Sequence, residues 1–317
     1  MARKLGVFGI GVAIAAVTAG VARADGLPVL GIDDGSTGVT VPSSTYRFVS
    51  LPANRDTLVA RVQRRGGRIF GARLLPGNFT VPAVAYDGSA GGLSADGRVL
   101  ALIEPRVSFP RRETTFAVLG TRGFVLQRLV RLRGDFSFDA VSPNGDRLYL
   151  IQYLSPKDPT RYAVRAYDVR SGRLVHERIV DPRDREQMHG QPLSRTMSPD
   201  GRWAYTLYDG GGKAPFLHAL NTARGTARCI DLDALAGNTY LWRLRLAVNG
   251  RSIVIRDGAE PELMVDRTSF AVTKPASQST SAGEATPVWS WALGATALTV
   301  LLTGAGLLLV RRRPALG

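Results

Sequence analysis

The stretch Ser198-Pro199-Asp200-Gly201-Arg202-Trp203-Ala204-Tyr205-Thr206-Leu207-Tyr208 decides the fold, because its opening turn recurs along the chain. Two further copies are Ser94-Ala95-Asp96-Gly97 and Ser142-Pro143-Asn144-Gly145, and a worn one is Ala247-Val248-Asn249-Gly250. Pro sets φ at the second position, Asp or Asn follows, and Gly accepts a positive φ at the fourth. Each copy is followed within two residues by an Arg and then by a strand rich in β-branched, aromatic and Leu residues. The Gly-to-Gly spacings are 48, 56 and 49 residues. A steady period of about 50 with strand signals between marks an array of small sheets, a β-propeller.

A second turn keeps step with the first. Thr121-Arg122-Gly123, Arg170-Ser171-Gly172 and Thr222-Ala223-Arg224-Gly225 end 26, 27 and 24 residues after the first Gly of their units. Strand patterns flank it on both sides, so each unit holds four strands, A to D. The first turn joins A to B and the second joins C to D. The same ruler places a worn first unit, with Ser43 at its A–B turn and Arg65-Gly66-Gly67 at its C–D turn. A shortened last unit closes with 262–266 and 269–273. Five units begin near residues 38, 92, 137, 193 and 241. Open repeats leave their ends unpaired, so the first and last units are expected to pack together and close a ring.

The Ser-Pro-Asp-Gly turn before an apolar strand, with Tyr167-Asp168-Val169-Arg170-Ser171-Gly172 elsewhere in the repeat, resembles the TolB-like, WD40-like and YVTN-type bacterial propeller repeats over residues 38–273. The resemblance implies an all-β fold, a β-propeller of about five four-stranded blades. Such propellers mostly bind and sometimes catalyse, so the fold alone does not assign a function.

The two ends speak of location. Arg3 and Lys4, an apolar run from Leu5 to Val21 and Ala22-Arg23-Ala24 form the pattern of a signal peptide over 1–24. Residues 25–273 are then the ectodomain and 274–287 a flexible linker of small polar residues. Val288 to Val310 is 23 residues without a charge, opened by Trp289 and Trp291 and followed by Arg311-Arg312-Arg313. That pattern predicts one C-terminal transmembrane helix over 288–310, with 311–317 as a cytoplasmic tail. The membrane is thus one expected partner, through Val288 to Val310.

The chain has 37 Arg and 4 Lys against 26 acidic residues. Without the signal and the tail, 35 basic against 26 acidic residues leave about +9 over the 263 residues from Asp25 to Pro287. An exported protein with Arg scattered one or two per strand points to a solvated basic surface rather than to a nucleic-acid partner, and none is expected. Anionic lipid or wall polymers would attract it mildly. Cys229 is the only cysteine, so no intrachain disulfide forms, and its outer-strand setting suits a small apolar side chain.

No catalytic constellation stands out. His176, His189 and His218 have no His or Cys at metal-ligand spacing, and neither a metal nor a cofactor is expected. Gly210-Gly211-Gly212-Lys213 lacks the spacing of a phosphate loop. The short A–B and C–D turns occupy one face of the propeller, and the longer B–C loops and D–A connections occupy the other. A ligand is expected on the longer-loop face, and the candidate binding residues there are Arg183, Asp184, His189, Tyr208, Asp209, Lys213 and Trp242. The expected function is a membrane-tethered, non-catalytic binding or scaffolding module for a protein or cell-envelope partner. The alternatives are a propeller enzyme of the lactonase or glycosidase type, or an envelope sensor.

Overall fold

The computed structural model describes residues 38–183 and 188–275. The signal segment, the expected membrane helix, the tail and nearly all of the linker lie outside the described residues. Among those residues, no helix is long and apolar enough to cross a membrane.

Five antiparallel sheets follow one another along the chain. The first holds β1 (Tyr46–Ala53), β2 (Asp56–Gln63) and β3 (Ile69–Pro76). The second holds β4 (Val99–Ile103), β5 (Glu113–Gly120) and β6 (Val125–Arg133). The third holds β7 (Phe136–Val141), β8 (Arg147–Tyr153), β9 (Tyr162–Asp168) and β10 (Arg173–Ile179). The fourth holds β11 (Pro192–Met197), β12 (Trp203–Tyr208), β13 (Phe216–Asn221) and β14 (Thr226–Asp231). The fifth holds β15 (Leu244–Asn249), β16 (Ser252–Asp257), β17 (Glu260–Asp266) and β18 (Val272–Thr273). Each sheet is a meander in chain order, as in a propeller blade, and each is one of the five repeat units. In the first two, strand A shrinks to single bridges, Val39 to Phe48 and Leu93 to Leu100. These blades therefore hold three strands and a bridge rather than four strands.

The recurring Ser has a definite task. The Ser94, Ser142 and Ser198 hydroxyls are buried and accept from the amides of Val99, Arg147 and Trp203, at 2.9, 3.0 and 2.9 Å. Ser94 and Ser198 also donate to Asp96 and Asp200, both at 2.6 Å. The worn copy has Ala247 in place of Ser. There Asn249 pairs directly with Ser252, leaving Gly250-Arg251 as a two-residue hairpin loop.

The C–D turns need one left-handed residue, four positions after the last residue of strand C. Gly172 and Gly225 fill it in the third and fourth sheets, at φ 75° and 72°. In the second and fifth sheets the position is Phe124 and Phe270, at φ 52° and 60°. In the second sheet Gly123, the turn glycine read from the sequence, is left-handed as well, at φ 77°. A phenylalanine tolerates this conformation because its ring is well packed: Phe124 meets Phe48 edge-on at 6.0 Å, and Phe270 meets Trp203 at 5.6 Å. Both contacts reach back to strand B of the preceding sheet. The other two turns reach back by hydrogen bonds. Tyr149 Oη donates to Thr222 O at 2.8 Å, and Arg128 Nη2 donates to Arg170 O at 3.1 Å.

Apolar side chains fill each junction. Phe48, Val59 and Leu75 of the first sheet share a cluster with Leu100, Leu102, Ala117 and Leu119 of the second. Val118 and Val130 join Phe138 and Leu150 between the second and third sheets. Tyr149 and Val164 join Ala204 and Leu220 between the third and fourth, and Leu207 and Leu217 join Ile253 and Leu263 between the fourth and fifth. No apolar cluster of the described residues joins the first sheet to the fifth. The β2–β3 turn, counterpart of those that reach back, has open space beside Gly66 and Gly67. The expected packing of first against last blade is thus not among these contacts. On β15 and β16, Arg245 and Arg256 are cross-strand partners on the face turned away from the fourth sheet.

The A–B turns meet one another directly. Asp96 N donates to Pro143 O at 3.1 Å, and a β-carbon added to Gly201 would lie 2.3 Å from the Ala95 methyl. Gly201→Ala combines that clash with a left-handed backbone and is expected to cost about 2–4 kcal/mol in urea denaturation. Gly250→Ala, left-handed but in open space, is expected to cost only about 1 kcal/mol.

Candidate functional site

The connection from β3 to β4 is the longest of the D–A segments, and it is a brace rather than a free loop. Thr80 pairs with Ile103 of the second sheet in both directions, at 2.8 and 2.9 Å. The tip then reaches the inner strand of the fourth sheet. Tyr86 N donates to Pro192 O at 2.9 Å, Asp87 N to Leu193 O at 3.1 Å and Ser89 Oγ to Arg195 O at 3.2 Å. Val84 packs with the second and third sheets, and Tyr86 with the fourth and fifth. Gly92 allows the close pass, since a β-carbon there would lie 2.3 Å from the Ala101 carbonyl oxygen.

Beside this brace lies a cavity of about 30 Å³, bordered by Val84, Phe138, Asp139, Tyr153, Tyr162, Gly190, Gln191 and Tyr208 among others. Its lining joins the third sheet's inner strand to the β8–β9 loop and the β10–β11 connection, which places it on the longer-loop side. The volume is about that of one water molecule. Asp139 sits where the β7–β8 register shifts between Phe138 and Ala140, and such a bulge redirects a side chain. Its Oδ1 accepts from Arg195 Nη1 at 2.6 Å, while Arg195 Nη2 donates to the Asp139 carbonyl at 2.7 Å and Nη1 also to Thr206 Oγ1 at 2.8 Å. Both side chains of the pair are almost wholly buried. A buried ion pair holds only when its hydrogen bonds are met. Asp139 Oδ2 nevertheless has no hydrogen-bond partner among the described residues, whereas the Tyr162 hydroxyl lies against that of Tyr208. Burial raises the phenol pKa of Tyr153 to about 12 and raises those of Tyr162 and Tyr208 further, so all three stay protonated.

A second buried group holds the β4–β5 loop over the same region. Asp135 accepts from Arg106 Nε at 3.1 Å and from Arg111 N at 2.9 Å, and it pairs with Arg106 Nη2 and Arg111 Nε. The Arg106 guanidinium lies 5.0 Å from the centre of the Tyr153 ring. Burial, with Arg106 alongside, lowers Arg111 to about 10, and it remains charged.

Of the residues singled out from sequence, Tyr208 is buried, stacked on Phe216 at 5.0 Å, and borders the cavity. Asp209 organises the loops beside it: its Oδ1 accepts from Gln191 N at 2.8 Å and Gly211 N at 2.9 Å. His189 is half-buried against Gly211, and Lys213 is exposed at the end of the same 3-10 turn, Gly210–Gly212. Those four come together. Arg183 lies elsewhere, in the β10–β11 connection against the outer strand of the fourth sheet, paired with Asp181 at 2.7 Å and donating to Cys229 O at 3.4 Å. Burial raises Asp181, but the Arg183 side-chain and backbone hydrogen bonds and that of the Cys229 amide outweigh it and bring it to about 2. Trp242 is 63% exposed on the 3-10 turn before β15. Asp184 lies outside the described residues. Sequence reasoning missed Asp139, Tyr162 and Arg195. The available signal was a charged residue within each of two otherwise inward-facing A strands, Phe136–Val141 and Pro192–Met197.

Among the described residues no group of three or more His, Cys, Asp or Glu is placed to hold a metal ion. Asp139 is the one carboxylate bordering the cavity, and Arg195 neutralises it. No protein family matches the chain, and no curated relative does. Solved structures similar to it include putative TolB from Agrobacterium tumefaciens, at 15% identity over 74% of this chain and 77% of that one, TM-score 0.37. TolB from Acinetobacter baumannii is 13% identical over 72% of this chain, which spans about half of that longer protein (51%), TM-score 0.38. BamB from Moraxella catarrhalis is 16% identical over 78% and 66%, TM-score 0.42. These TM-scores are below 0.5, and the architecture rests on the five sheets themselves.

His218, on β13, faces Tyr208 with its ring at 6.3 Å and is fully buried with Nε2 unpartnered. Burial, the largest effect, lowers its pKa to about 4. The unfolded chain takes up this proton near the ordinary imidazole pKa, whereas the folded chain resists it. His218 therefore leaves stability untouched above about pH 7 and removes about 3 kcal/mol as the pH falls from 7 to 4. Urea denaturation of His218→Gln at the two pH values is expected to show a pH loss smaller by that amount than in the wild type.

Proposed function

We propose that this protein is a membrane-tethered, extracytoplasmic propeller that binds or scaffolds a protein or other cell-envelope partner without catalysing a reaction. The observation that carries the reading is a buried carboxylate oxygen, Asp139 Oδ2, with no hydrogen-bond partner among the described residues, at one small cavity on the longer-loop face. A buried acceptor without a donor is costly, and a partner that supplies one recovers that cost. The cavity has room for a single polar group, so it would seat one anchoring group of a larger partner lying across the face. His189, Asp209 and Lys213 border that approach. The N-terminal signal pattern and the apolar segment from Val288 to Val310 support export and tethering.

The test is capture from envelope extracts by the full chain, followed by affinity measurement with the captured component. Tyr162→Phe removes the hydroxyl that shares the cavity with Asp139 and is expected to weaken binding about three- to tenfold. Lys213→Glu is expected to weaken it as well. Equal capture by both variants and the wild type, or turnover of a small substrate with no partner recovered, would sink the proposal.

A further inference from the structure

Strand register picks out two matching positions on strand B of the first four sheets. They pair with the last residue of strand C and with the residue two before it. The occupants are Tyr46 and Phe48, Val99 and Ala101, Arg147 and Tyr149, and Trp203 and Tyr205. Phe48, Ala101, Tyr149 and Tyr205 join the apolar cluster shared with the next sheet, so this row faces forward along the array. Only the second sheet offers two short side chains there. The third sheet's C–D turn adds no ring, since Gly172 holds the place that Phe124 and Phe270 fill elsewhere. Tyr167 enters the same junction from strand C of the third sheet, beneath the surface.

The result is a cleft of about 320 Å³ on the short-turn face, between the second and third sheets. Val99 and Val169 supply its apolar lining, Arg128 and Arg170 its cations and Asp146 its one carboxylate. The floor is tight, because a β-carbon on Gly145 would lie 2.4 Å from Val99 Cβ. Asp146 is already engaged, accepting from Ser142 Oγ at 2.7 Å and from Asn144 Nδ2 at 3.1 Å. Arg128 spans the gap to the Arg170 carbonyl. The Arg170 side chain is exposed and makes no hydrogen bond or ion pair among the described residues. Two guanidinium groups thus stand beside a small apolar floor, with their one neighbouring carboxylate occupied.

We propose that this cleft seats an aromatic side chain of a protein partner, one flanked by acidic residues. The molecule itself shows what fits the place: Phe48, Tyr149 and Trp203 bring a ring to the other three junctions. The volume is at the small end for a binding pocket and suits a single anchoring side chain. Aromatic anchors held in such pockets carry much of the affinity of protein interfaces. A guanidinium is attracted to the face of a ring, and acidic neighbours would meet the charge of Arg170. A bare anion would use the cations and leave Val99 and Val169 against water, and an aliphatic side chain would forgo the attraction to Arg128. The cleft lies on the face opposite the cavity beside Asp139, and its role does not depend on the partner bound there.

The experiment uses the full chain in phosphatidylcholine nanodiscs. The probe is a capped tripeptide, Glu–para-fluorophenylalanine–Glu, read by broadening of its fluorine NMR line. Broadening by the wild type is expected, and a Glu-Leu-Glu peptide should compete about tenfold less well than Glu-Phe-Glu. Arg170→Gln should weaken binding about two- to fivefold, and Tyr162→Phe, at the cavity, should leave it unchanged. Val99→Tyr puts into the cleft the ring that other sheets carry. It should abolish the broadening without lowering the melting temperature. A second plug is added after folding, so it does not depend on how Val99→Tyr folds. In a Cys229→Ser chain, Gln127→Cys capped with a benzyl thiosulfonate should lose binding that the uncapped chain keeps. Equal binding by capped and uncapped chains, equal competition by the Leu peptide, or no broadening by the wild type at millimolar peptide would overturn the proposal.

Discussion

A sheet with two apolar faces cannot stand alone in water, and the organisation of the five sheets follows from that constraint. Each of the five sheets lends one face to the next, and hydrophobic burial at each junction supplies the main stabilisation. The junctions also have a direction. Every C–D turn from the second sheet onward reaches back to the sheet before it, through Phe124 on Phe48, Arg170 on Arg128, Thr222 on Tyr149 and Phe270 on Trp203. Only the first sheet has no predecessor to grasp.

The brace from β3 to β4 adds a contact of longer range. Neighbouring junctions alone would make the array a chain of pairs, each free to hinge on the next. By pairing with Ile103 and then with Pro192 and Leu193, the brace fixes the second sheet relative to the fourth. It also contributes Val84 to the cavity wall. The candidate site is therefore built from segments far apart in sequence, and its geometry depends on the array as a whole.

The repeat, the five units and most strand positions were legible in the sequence because turn chemistry is local: Ser, Asp and Gly act within five residues of one another. The two Phe residues at positive φ were not legible: Gly123 was readable as a left-handed residue, whereas Phe124 beside it is held there by packing on Phe48, which no local pattern encodes. For the site, Tyr208, Asp209, His189 and Lys213 were found because they lie on loops near one another in sequence. Asp139 and Arg195 are 56 residues apart, and their pairing follows from how the third and fourth sheets stack, which no local pattern encodes.

The two ways of fastening a C–D turn bear on how such a chain can grow or shrink by recombination. An aromatic turn needs an aromatic ring waiting on strand B of the unit before it, whereas a glycine turn needs a donor from that unit. Units are therefore not interchangeable parts. A duplicated unit would carry the right turn into the wrong socket unless its neighbour were copied with it, so the smallest heritable module of this array is a pair of adjacent sheets.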